Sequence, residues 1–470
     1  MTDYRKIVFG KTDAREESAE YPDLLMNGYF PVDNISEQVL KTDKFIILGN
    51  KGSGKTALSE YLKLTSDANT IVDGPSLKSF PFKVLGKIVA GESEPVLKHK
   101  LAWRWLLLVR VLQNLVLDPD AKPSTKKDLR KTTEFLVQSG LMDVDSLSDL
   151  VKLTSSLSVK AFSIEHTTRE ETADVSLDLI INYVKDLVVG FKESHRHLLV
   201  IDGVDEILTA RGIPFLSVVA MIHEAQDLNL FFRAGDLPVK IIILCRTDLF
   251  DRLPDPDKNK LRRDCSCLLN WYQEGSDAAK DSDLMSMVNM RARLIFPEVD
   301  DLFDEFFPSD YRGHDIRSEM LGFTRFTPRD LLQLLVSIQN RCTAPRVSAE
   351  TMEKGLADYS LEYFLPEIKD EMAGYLPFDS IDAIMEILAS FRSREFSFSA
   401  FDQAVQQSAR LSGLSSSDIL RVLFDCSAIG LASPSGEGGR FKYRNRHASC
   451  TQSDRFVIHQ GLCKGLDIAL

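Results

Sequence analysis

Short apolar runs alternate along the chain with segments whose apolar residues recur at helical spacing. The runs at residues 44–48, 197–201 and 239–244 have the length and composition of buried strands. Helical spacing follows the first run at residues 57–62 and precedes the other two. Strands that alternate with helices in this way predict an α/β fold built on a parallel sheet. A shorter, mostly apolar run at residues 265–269 predicts one more strand.

Helical patterns dominate three further blocks. Residues 80–168 show helical spacing at 97–117 and 125–137, which predicts a helical insertion in the α/β core. Strand signals nearly vanish from residue 291 to residue 375, so this block is predicted to be an all-helical lid. The last block predicts three helices, at 380–391, 399–407 and 416–426, and then a Gly-rich hairpin between Leu431 and Arg446. Three helices followed by a hairpin are typical of a winged helix.

The loop between the first predicted strand and its helix carries the most informative motif. Its eight residues fit the phosphate-binding P-loop pattern G-x-x-x-x-G-K-[ST] at every fixed position: Gly49, Asn50, Lys51, Gly52, Ser53, Gly54, Lys55 and Thr56. The three glycines permit positive φ and let backbone N–H groups point at a phosphate chain, which the N-terminus of the next helix also attracts. Lys55 is predicted to reach the β- and γ-phosphates, and Thr56 to bind Mg²⁺. A glycine-rich turn that binds nothing is the weaker interpretation, because the required strand and helix flank the loop.

Acidic residues follow the second predicted strand directly. Four apolar residues end at Asp202, the pattern in which a buried strand places a Mg²⁺-binding aspartate beside the P-loop threonine. Asp205 and Glu206 come just beyond the strand end and are candidate bases for the water that attacks a γ-phosphate. The alternative is an acidic turn without chemistry, which the P-loop upstream makes the weaker interpretation.

Two arginines are candidate sensors of the phosphates. Arg246 ends the third predicted strand, at the edge where open α/β sheets bind ligands. The alternative for Arg246 is a surface ion pair with Asp248 or Asp251. Arg329 lies in the first turn of a predicted helix, and its alternative is an ion pair with Asp330.

Composition and charge exclude several classes of protein. With 470 residues, 44% of them hydrophobic and 27% charged, the chain is predicted to be a soluble protein of roughly three domains. Its net charge of −12 argues against a nonspecific polyanion binder, so a nucleic-acid contact would have to be local. The N-terminus has no apolar signal core, and Arg104 and Arg110 interrupt the most apolar stretch, so no membrane partner is predicted. Seven scattered cysteines without metal-site spacing predict buried thiols in a reducing cytoplasm.

The C-terminal hairpin offers a local basic surface. Its basic residues are Arg440, Lys442, Arg444 and Arg446. If the segment is a strand, its aromatic residues are buried and Lys442 and Arg444 point outward, where they could contact the phosphates of DNA or RNA. The helix in the recognition position offers only Arg421 for reading bases, so a protein-docking or intramolecular role is favoured over DNA binding.

Together, the P-loop, the acidic turn at residues 202–206, Arg246 and Arg329 resemble the P-loop ATPases of the AAA+ and STAND type, including origin-recognition-like and KAP-like relatives. The resemblance implies an α/β ATPase core, a helical lid with an arginine sensor and often a winged helix, in this order. The opening segment and first strand also resemble bacterial stand-alone P-loop ATPases found near mobile-element and phage-defence genes. The AAA+ pattern has a glutamate directly after the metal-binding aspartate, whereas this chain has Gly203. That form is closer to STAND proteins and implies slow, switch-like hydrolysis.

These expectations divide the chain into four parts. They are an N-terminal segment packing on the ATPase core (1–38), the core (39–285, with its insertion at about 80–168), the helical lid (286–375) and a winged-helix-like domain (376–470). The predicted function is a cytoplasmic, Mg²⁺-dependent switch that binds and hydrolyses ATP in a bacterial antiphage system, with a homo-oligomer or an effector protein as its partner. The alternatives are a DNA- or RNA-associated ATPase that uses the winged helix and a nonhydrolysing scaffold that holds nucleotide. A small-molecule kinase is disfavoured, because the lid and winged helix have no role in one. The preference for adenine comes from the resemblance, since no guanine-specific N-K-x-D motif is evident near the site.

Overall fold

A computed structural model describes residues 2–75, 77, 95–116, 118, 127, 131, 177–189, 195–205, 214–272, 279–433 and 439–469. The chain forms two compact units. The P-loop unit comprises Met1–Ile35, Gly49–Tyr61 and Leu269–Leu470, and the sheet unit comprises Ser36–Leu48 and Leu62–Leu268. Most of the predicted helical insertion, including the predicted helix at 125–137, lies outside the described residues.

The α-helices of the described residues are α1 (Ala14–Glu20), α2 (Pro22–Gly28), α3 (Ile35–Lys41), α4 (Lys55–Thr65), α5 (Pro95–Val116), α6 (Leu177–Val189), α7 (Phe215–Ala234), α8 (Thr247–Arg252), α9 (Lys258–Lys260), α10 (Asp283–Ile295), α11 (Leu302–Phe306), α12 (Ile316–Gly322), α13 (Pro328–Arg341), α14 (Ala349–Asp358), α15 (Leu365–Met372), α16 (Phe378–Ser390), α17 (Phe398–Gln407), α18 (Ser416–Asp425) and α19 (Gln460–Cys463). Two π-helical segments, Leu261–Cys265 and Tyr359–Phe364, continue α9 and α14. No helix of the described residues is long and apolar enough to cross a bilayer.

The strands of the described residues are β1 (Ile46–Gly49), β2 (Thr70–Asp73), β3 (Arg196–Ile201), β4 (Val239–Arg246), β5 (Ser266–Leu269), β6 (Asp310–Tyr311), β7 (His314–Asp315), β8 (Glu395–Ser397), β9 (Ile429–Ala432), β10 (Gly439–Arg440) and β11 (Arg455–Ile458).

A five-stranded sheet with the order β2-β3-β4-β1-β5 is the centre of the sheet unit. β3 runs parallel to both of its neighbours, with His197 opposite Ile71 and Leu199 opposite Ile241. β1 is buried throughout and β3 at every position but its first, as expected of strands covered on both faces. The predicted parallel α/β core is therefore confirmed. The sequence does not predict β2, whose residues are only half-buried and give a short apolar signal.

Helices α5 and α7 pack against each other in the sheet unit. Trp103 Nε1 donates a hydrogen bond to Ser217 Oγ at 2.9 Å inside this contact. Arg104 donates to both oxygens of Glu224, at 2.6 and 3.2 Å. Burial raises the pKa of the Glu224 carboxyl, and the Arg104 guanidinium opposes that shift. These hydrogen bonds satisfy the buried polar groups of Trp103 and Glu224 across the helix pair.

The N-terminal segment packs on helices of the P-loop unit. α2 lies against α10, and a buried ion pair joins α1 to α10, with Arg291 Nη2 2.7 Å from Glu17 Oε1. Tyr29, which follows α2, stacks on Tyr61 of α4 with ring centroids 4.3 Å apart. The segment is therefore fixed to α10, and the stacking of Tyr29 also joins it to α4, the helix that begins at the P-loop.

The block predicted to be all-helical contains a small hairpin. β6 pairs antiparallel with β7 across a two-residue turn in which Arg312 and Gly313 have φ of 57° and 82°. Positive φ at both central residues is the geometry favoured in such hairpins. The all-helical prediction is wrong here, because two-residue strands are too short to show a period of two along the sequence.

The C-terminal residues form α16, α17, α18 and a four-stranded antiparallel sheet with the order β10-β9-β11-β8. The predicted hairpin is wrong in extent: β10 covers only Gly439–Arg440, and β9 pairs on its other side with β11. Residues 441–447 leave the sheet and turn. The alternating aromatic and basic side chains of this segment therefore do not divide into an inner and an outer face.

Candidate functional site

The P-loop runs from Gly49, the last residue of β1, to Thr56 in the first turn of α4. Gly52 and Gly54 have φ of 79° and 94°, values that residues with a Cβ rarely adopt. Gly49 does not have positive φ, contrary to the prediction for all three glycines. Its requirement is steric, because a Cβ at Gly49 would lie 2.4 Å from Ser53 Oγ. The loop thus has the tight backbone that the sequence motif demands.

The loop assembles groups that attract an anion. Lys55 Nζ lies 2.9 Å from both Gly49 O and Asn50 O, so its charge is held at the loop. Thr56 follows in the first turn of α4. Ser53 Oγ is buried and has no hydrogen-bond partner among the described residues, a state that a phosphate oxygen would relieve. A lysine, an unpartnered hydroxyl and a helix N-terminus fit a phosphate group.

The start of α13 lies against the tip of the loop. The Arg329 N–H is 3.4 Å from Gly52 O, and a Cβ on Gly52 would come within 3.1 Å of Thr327 Oγ1. Thr327 caps α13 by accepting a hydrogen bond from the Asp330 N–H. Within the described residues, the Arg329 guanidinium makes no hydrogen bond or ion pair. The structure therefore brings Arg329 to the P-loop, where its side chain forms no ion pair with a described acid.

Trp271 supports the opposite flank of the loop. Its buried indole donates a hydrogen bond from Nε1 to Ser53 O at 2.8 Å, and Phe30 packs with its ring centroid 6.3 Å away. Sequence reasoning missed this contact. The only available signal was a tryptophan two residues beyond a strand, which is too weak to identify a partner of the loop.

A buried charge network lies directly behind Thr327. Arg325 Nε and Nη2 donate to the two oxygens of Asp330 at 2.9 and 3.0 Å, and Nη1 donates to Glu371 Oε1 at 2.6 Å. Tyr363 Oη donates to Asp330 at 2.9 Å. Burial would raise the pKa of Asp330, but the charge and hydrogen bonds of Arg325 outweigh it and lower that pKa. Asp330 pairs with Arg325 rather than with Arg329, because neighbouring residues of a helix do not face each other.

The loop also carries an ion pair to α15. Lys51 Nζ lies 2.9 Å from Glu367 Oε2, and neither side chain is more than a quarter exposed. Sequence reasoning missed this pair, since the two residues are far apart in the chain and neither belongs to the fixed positions of the motif.

The other predicted site residues lie in the sheet unit. Asp202 follows β3, and its Oδ1 accepts a hydrogen bond from the Gly203 N–H at 2.8 Å. Arg246 ends β4 and donates to both oxygens of Asp248, at 3.1 and 2.9 Å. Its Nη1 lies 3.9 Å from Asp205 Oδ2. The structure thus shows the ion pair with Asp248 that was the alternative for Arg246, and it brings Arg246 and Asp205 together.

The structure does not test the predicted role of Glu206 or the predicted Mg²⁺ ligands. Glu206 lies outside the described residues. Among the residues that the structure describes, no three His, Cys, Asp or Glu side chains meet as a metal site. The assignment of Thr56 and Asp202 to Mg²⁺ stays a prediction from the motifs.

The basic C-terminal segment is turned inward in part. The Arg444 guanidinium lies over the rings of Phe326 and Tyr272, 5.5 and 5.8 Å from their centroids. Lys442 Nζ donates to Ala448 O at 2.8 Å. The prediction that Lys442 and Arg444 point outward is wrong, because the chain turns after β10 and the guanidinium gains cation–π contacts. The other two basic residues of the segment are exposed.

Comparisons with known proteins give distant likenesses. No family model matches the chain. Over 488 aligned positions it is 20% identical to the transposon gamma-delta 80.3 kDa protein of Escherichia coli K12, an alignment covering 98% of this chain and 67% of that protein. A Walker-type ATPase of Pyrococcus abyssi is similar with a TM-score of 0.42, 12% identity and coverage of 99% and 100% of the two chains. The ORC1 protein of Aeropyrum pernix, in complex with DNA, gives a TM-score of 0.38, 12% identity and coverage of 95% and 94%.

Proposed function

We propose that this chain binds ATP with Mg²⁺ and hydrolyses it slowly, as a molecular switch. The observation that carries the proposal is the anion-binding set of the P-loop. Gly52 and Gly54 have positive φ, Lys55 Nζ is held at the loop, and the buried Ser53 hydroxyl has no partner among the described residues. These groups suit a chain of phosphates at the start of α4 better than any other common ligand.

Each proposed role follows from the chemistry of the side chain. Lys55 opposes the charge of the phosphates, and Arg329 reports the terminal phosphate from its place beside Gly52. Bound Mg²⁺ would neutralise further phosphate charge, and Thr56 and Asp202 are the residues that would hold it. Asp205 or Glu206 orients or deprotonates the attacking water.

Arg246, unlike Arg329, forms ion pairs with acidic side chains of the described residues. Its guanidinium is shared between Asp248 and Asp205, so a role at the phosphates requires it to leave an existing ion pair. We propose that Arg246 holds Asp205 in place in the absence of nucleotide. The carboxylate of a candidate base then lies beside a fixed positive charge, which favours one orientation of that carboxylate.

The finer parts of the proposal rest on the resemblance to AAA+ and STAND ATPases. They are the adenine base, slow turnover, the antiphage role, a homo-oligomer or effector protein as partner, and the cytoplasmic location. Gly203 in place of a glutamate supports slow turnover.

Wild-type protein is expected to release phosphate from ATP in the presence of Mg²⁺. Asp205→Asn or Glu206→Gln, whichever residue handles the water, is expected to lower kcat by about 100-fold while ATP still binds, because general-base catalysis contributes on this order. Steady-state phosphate release at saturating ATP measures this. Asp227→Asn is the matched control, since it removes a 60% exposed carboxylate of the same unit. Wild-type rates in both variants would remove these acids from the mechanism, and binding without turnover in the wild type would favour the nonhydrolysing scaffold.

ATP is expected to change the fluorescence of Trp271, because its indole is hydrogen-bonded to the loop that would receive the phosphates. Titration of the full chain with ATP, followed at tryptophan emission, measures the change. Trp271→Phe should lose most of it. Trp103→Phe, which removes a buried indole of the sheet unit, should retain it. A signal that survives Trp271→Phe at full size would argue that the nucleotide does not bind at this loop.

A further inference from the structure

A carboxylate on α15 forms an ion pair with a lysine of the P-loop. Lys51 Nζ lies 2.9 Å from Glu367 Oε2, and the two side chains are 23% and 18% exposed. Both neighbours of Lys51 in the chain take part in the loop. The Asn50 carbonyl accepts a hydrogen bond from Lys55 Nζ. The Gly52 carbonyl faces the Arg329 N–H. The ammonium of Lys51 therefore belongs to the same short segment that holds the proposed phosphate ligands.

Glu367 depends on Lys51 for charge compensation. Its Oε2 is buried and has no aligned hydrogen-bond donor among the described residues, so the short approach of Lys51 Nζ acts as an ion pair. The next cation is Arg325, whose Nη2 is 4.0 Å away. Arg325 already lies closer to two other carboxylates, those of Asp330 and Glu371. A buried carboxylate that loses its nearest cation is strongly disfavoured.

Hydrogen bonds fix the π-helical segment that leads into α15. Ser360 in that segment accepts a hydrogen bond from the Gly465 N–H at 2.8 Å and donates to Gly461 O at 2.5 Å. Tyr363 in the same segment donates to Asp330. Glu367 and Glu371 are one helical turn apart and therefore share a face of α15. Glu371 contacts Arg325, and Glu367 contacts the P-loop.

We propose that Glu367 is an internal competitor for Lys51 that lowers the affinity of the P-loop for a nucleoside triphosphate. This inference rests on the proposed function. A phosphate chain in the loop brings negative charge to a lysine that already neutralises a carboxylate. Binding then either draws Lys51 away from Glu367 or places two anions on one ammonium, and both outcomes cost binding free energy. Glu367 thus links the position of α15 to the occupancy of the loop.

Glu367→Gln removes the charge, keeps the shape of the side chain and is expected to lower the Kd for Mg·ATP about tenfold, the scale of one charge-assisted contact. Isothermal titration calorimetry on the full chain measures the Kd. Asp370→Asn is the matched control, because it removes an exposed acid from the same helix and changes the net charge equally. Lys51→Met is expected to bind ATP more weakly than the wild type. Adding Glu367→Gln to Lys51→Met should have no further effect, because the proposed competition acts through Lys51. The two single variants and the double variant form a double-mutant cycle that measures this coupling.

Three results would overturn the competition: an unchanged or higher Kd in Glu367→Gln, an equal gain in Asp370→Asn, or a gain from Glu367→Gln that persists without Lys51. Absence of ATP binding in the wild type and in every variant would reject the proposed function, and the competition with it. If Glu367→Gln does not fold, Glu367→Asp replaces it. The shorter side chain keeps the charge but reaches Lys51 less well, so the same direction of change is expected.

Discussion

Lys55→Ala is expected to weaken the binding of Mg·ATP by about two orders of magnitude, because it removes charge-assisted hydrogen bonds worth about 1.5–3 kcal/mol each. Lys55 Nζ is held between Gly49 O and Asn50 O, so the ammonium is already at the loop before nucleotide arrives. Without it, the loop keeps its backbone N–H groups, the helix N-terminus and the Ser53 hydroxyl, and Arg329 and bound Mg²⁺ would have to oppose more of the phosphate charge.

Calorimetric titration of the full chain measures this loss, and circular dichroism verifies that the fold is retained. Lys41→Ala is the matched control, since Lys41 is a 70% exposed lysine whose ion pair with Glu37 lies within α3. We expect this control to bind as the wild type does. If Lys55→Ala binds ATP within a factor of about three of the wild type, the P-loop is not the nucleotide site, because one charge-assisted contact alone exceeds that factor.

The P-loop and the parallel core could be predicted because their signals are local. A strand buried on both faces is a run of apolar residues, and the loop is specified by glycines and a lysine within eight positions. The site around the loop could be predicted only in part. The proline in the first turn of α13 marked the place of Arg329, but nothing in the sequence shows that Thr327 packs on Gly52.

The missed contacts join residues that are distant in the chain. The pairs Lys51–Glu367 and Arg325–Glu371 depend on how helices of the P-loop unit are arranged. Arg444 shows the limit of a pattern: alternation predicts an outward side chain only while the strand continues, and β10 ends at Arg440. The chain contains many charged residues, so the charge of a residue does not by itself identify its ion-pair partner.

Arg325→Met is expected to lower the free energy of unfolding of the P-loop unit by about 3–5 kcal/mol, the usual cost of removing one partner from a buried ion pair. Asp330 is fully buried and Glu371 nearly so, and Arg325 is the cation between them. Without it the two carboxylates lose their shared cation, and the Tyr363 hydroxyl remains as a side-chain donor to Asp330.

Urea unfolding of the full chain, followed by circular dichroism, measures the loss as a shift of the transition. Arg341→Met is the matched control, because it removes an exposed pair with Asp358 from the end of α13, the helix that carries Asp330. The control is expected to cost about 0–1 kcal/mol. Equal shifts in the two variants would show that the Arg325 network does not stabilise the unit.

The pH dependence of stability provides an independent test of the same network. Burial would raise the pKa of Asp330, but Arg325 lowers it below the ordinary value of 3.8. A carboxyl with a lowered folded-state pKa contributes stability that is fully present above its unfolded pKa and is lost as pH falls through the folded pKa. The wild type should therefore lose stability below about pH 4 more steeply than Asp330→Asn, which lacks this titration.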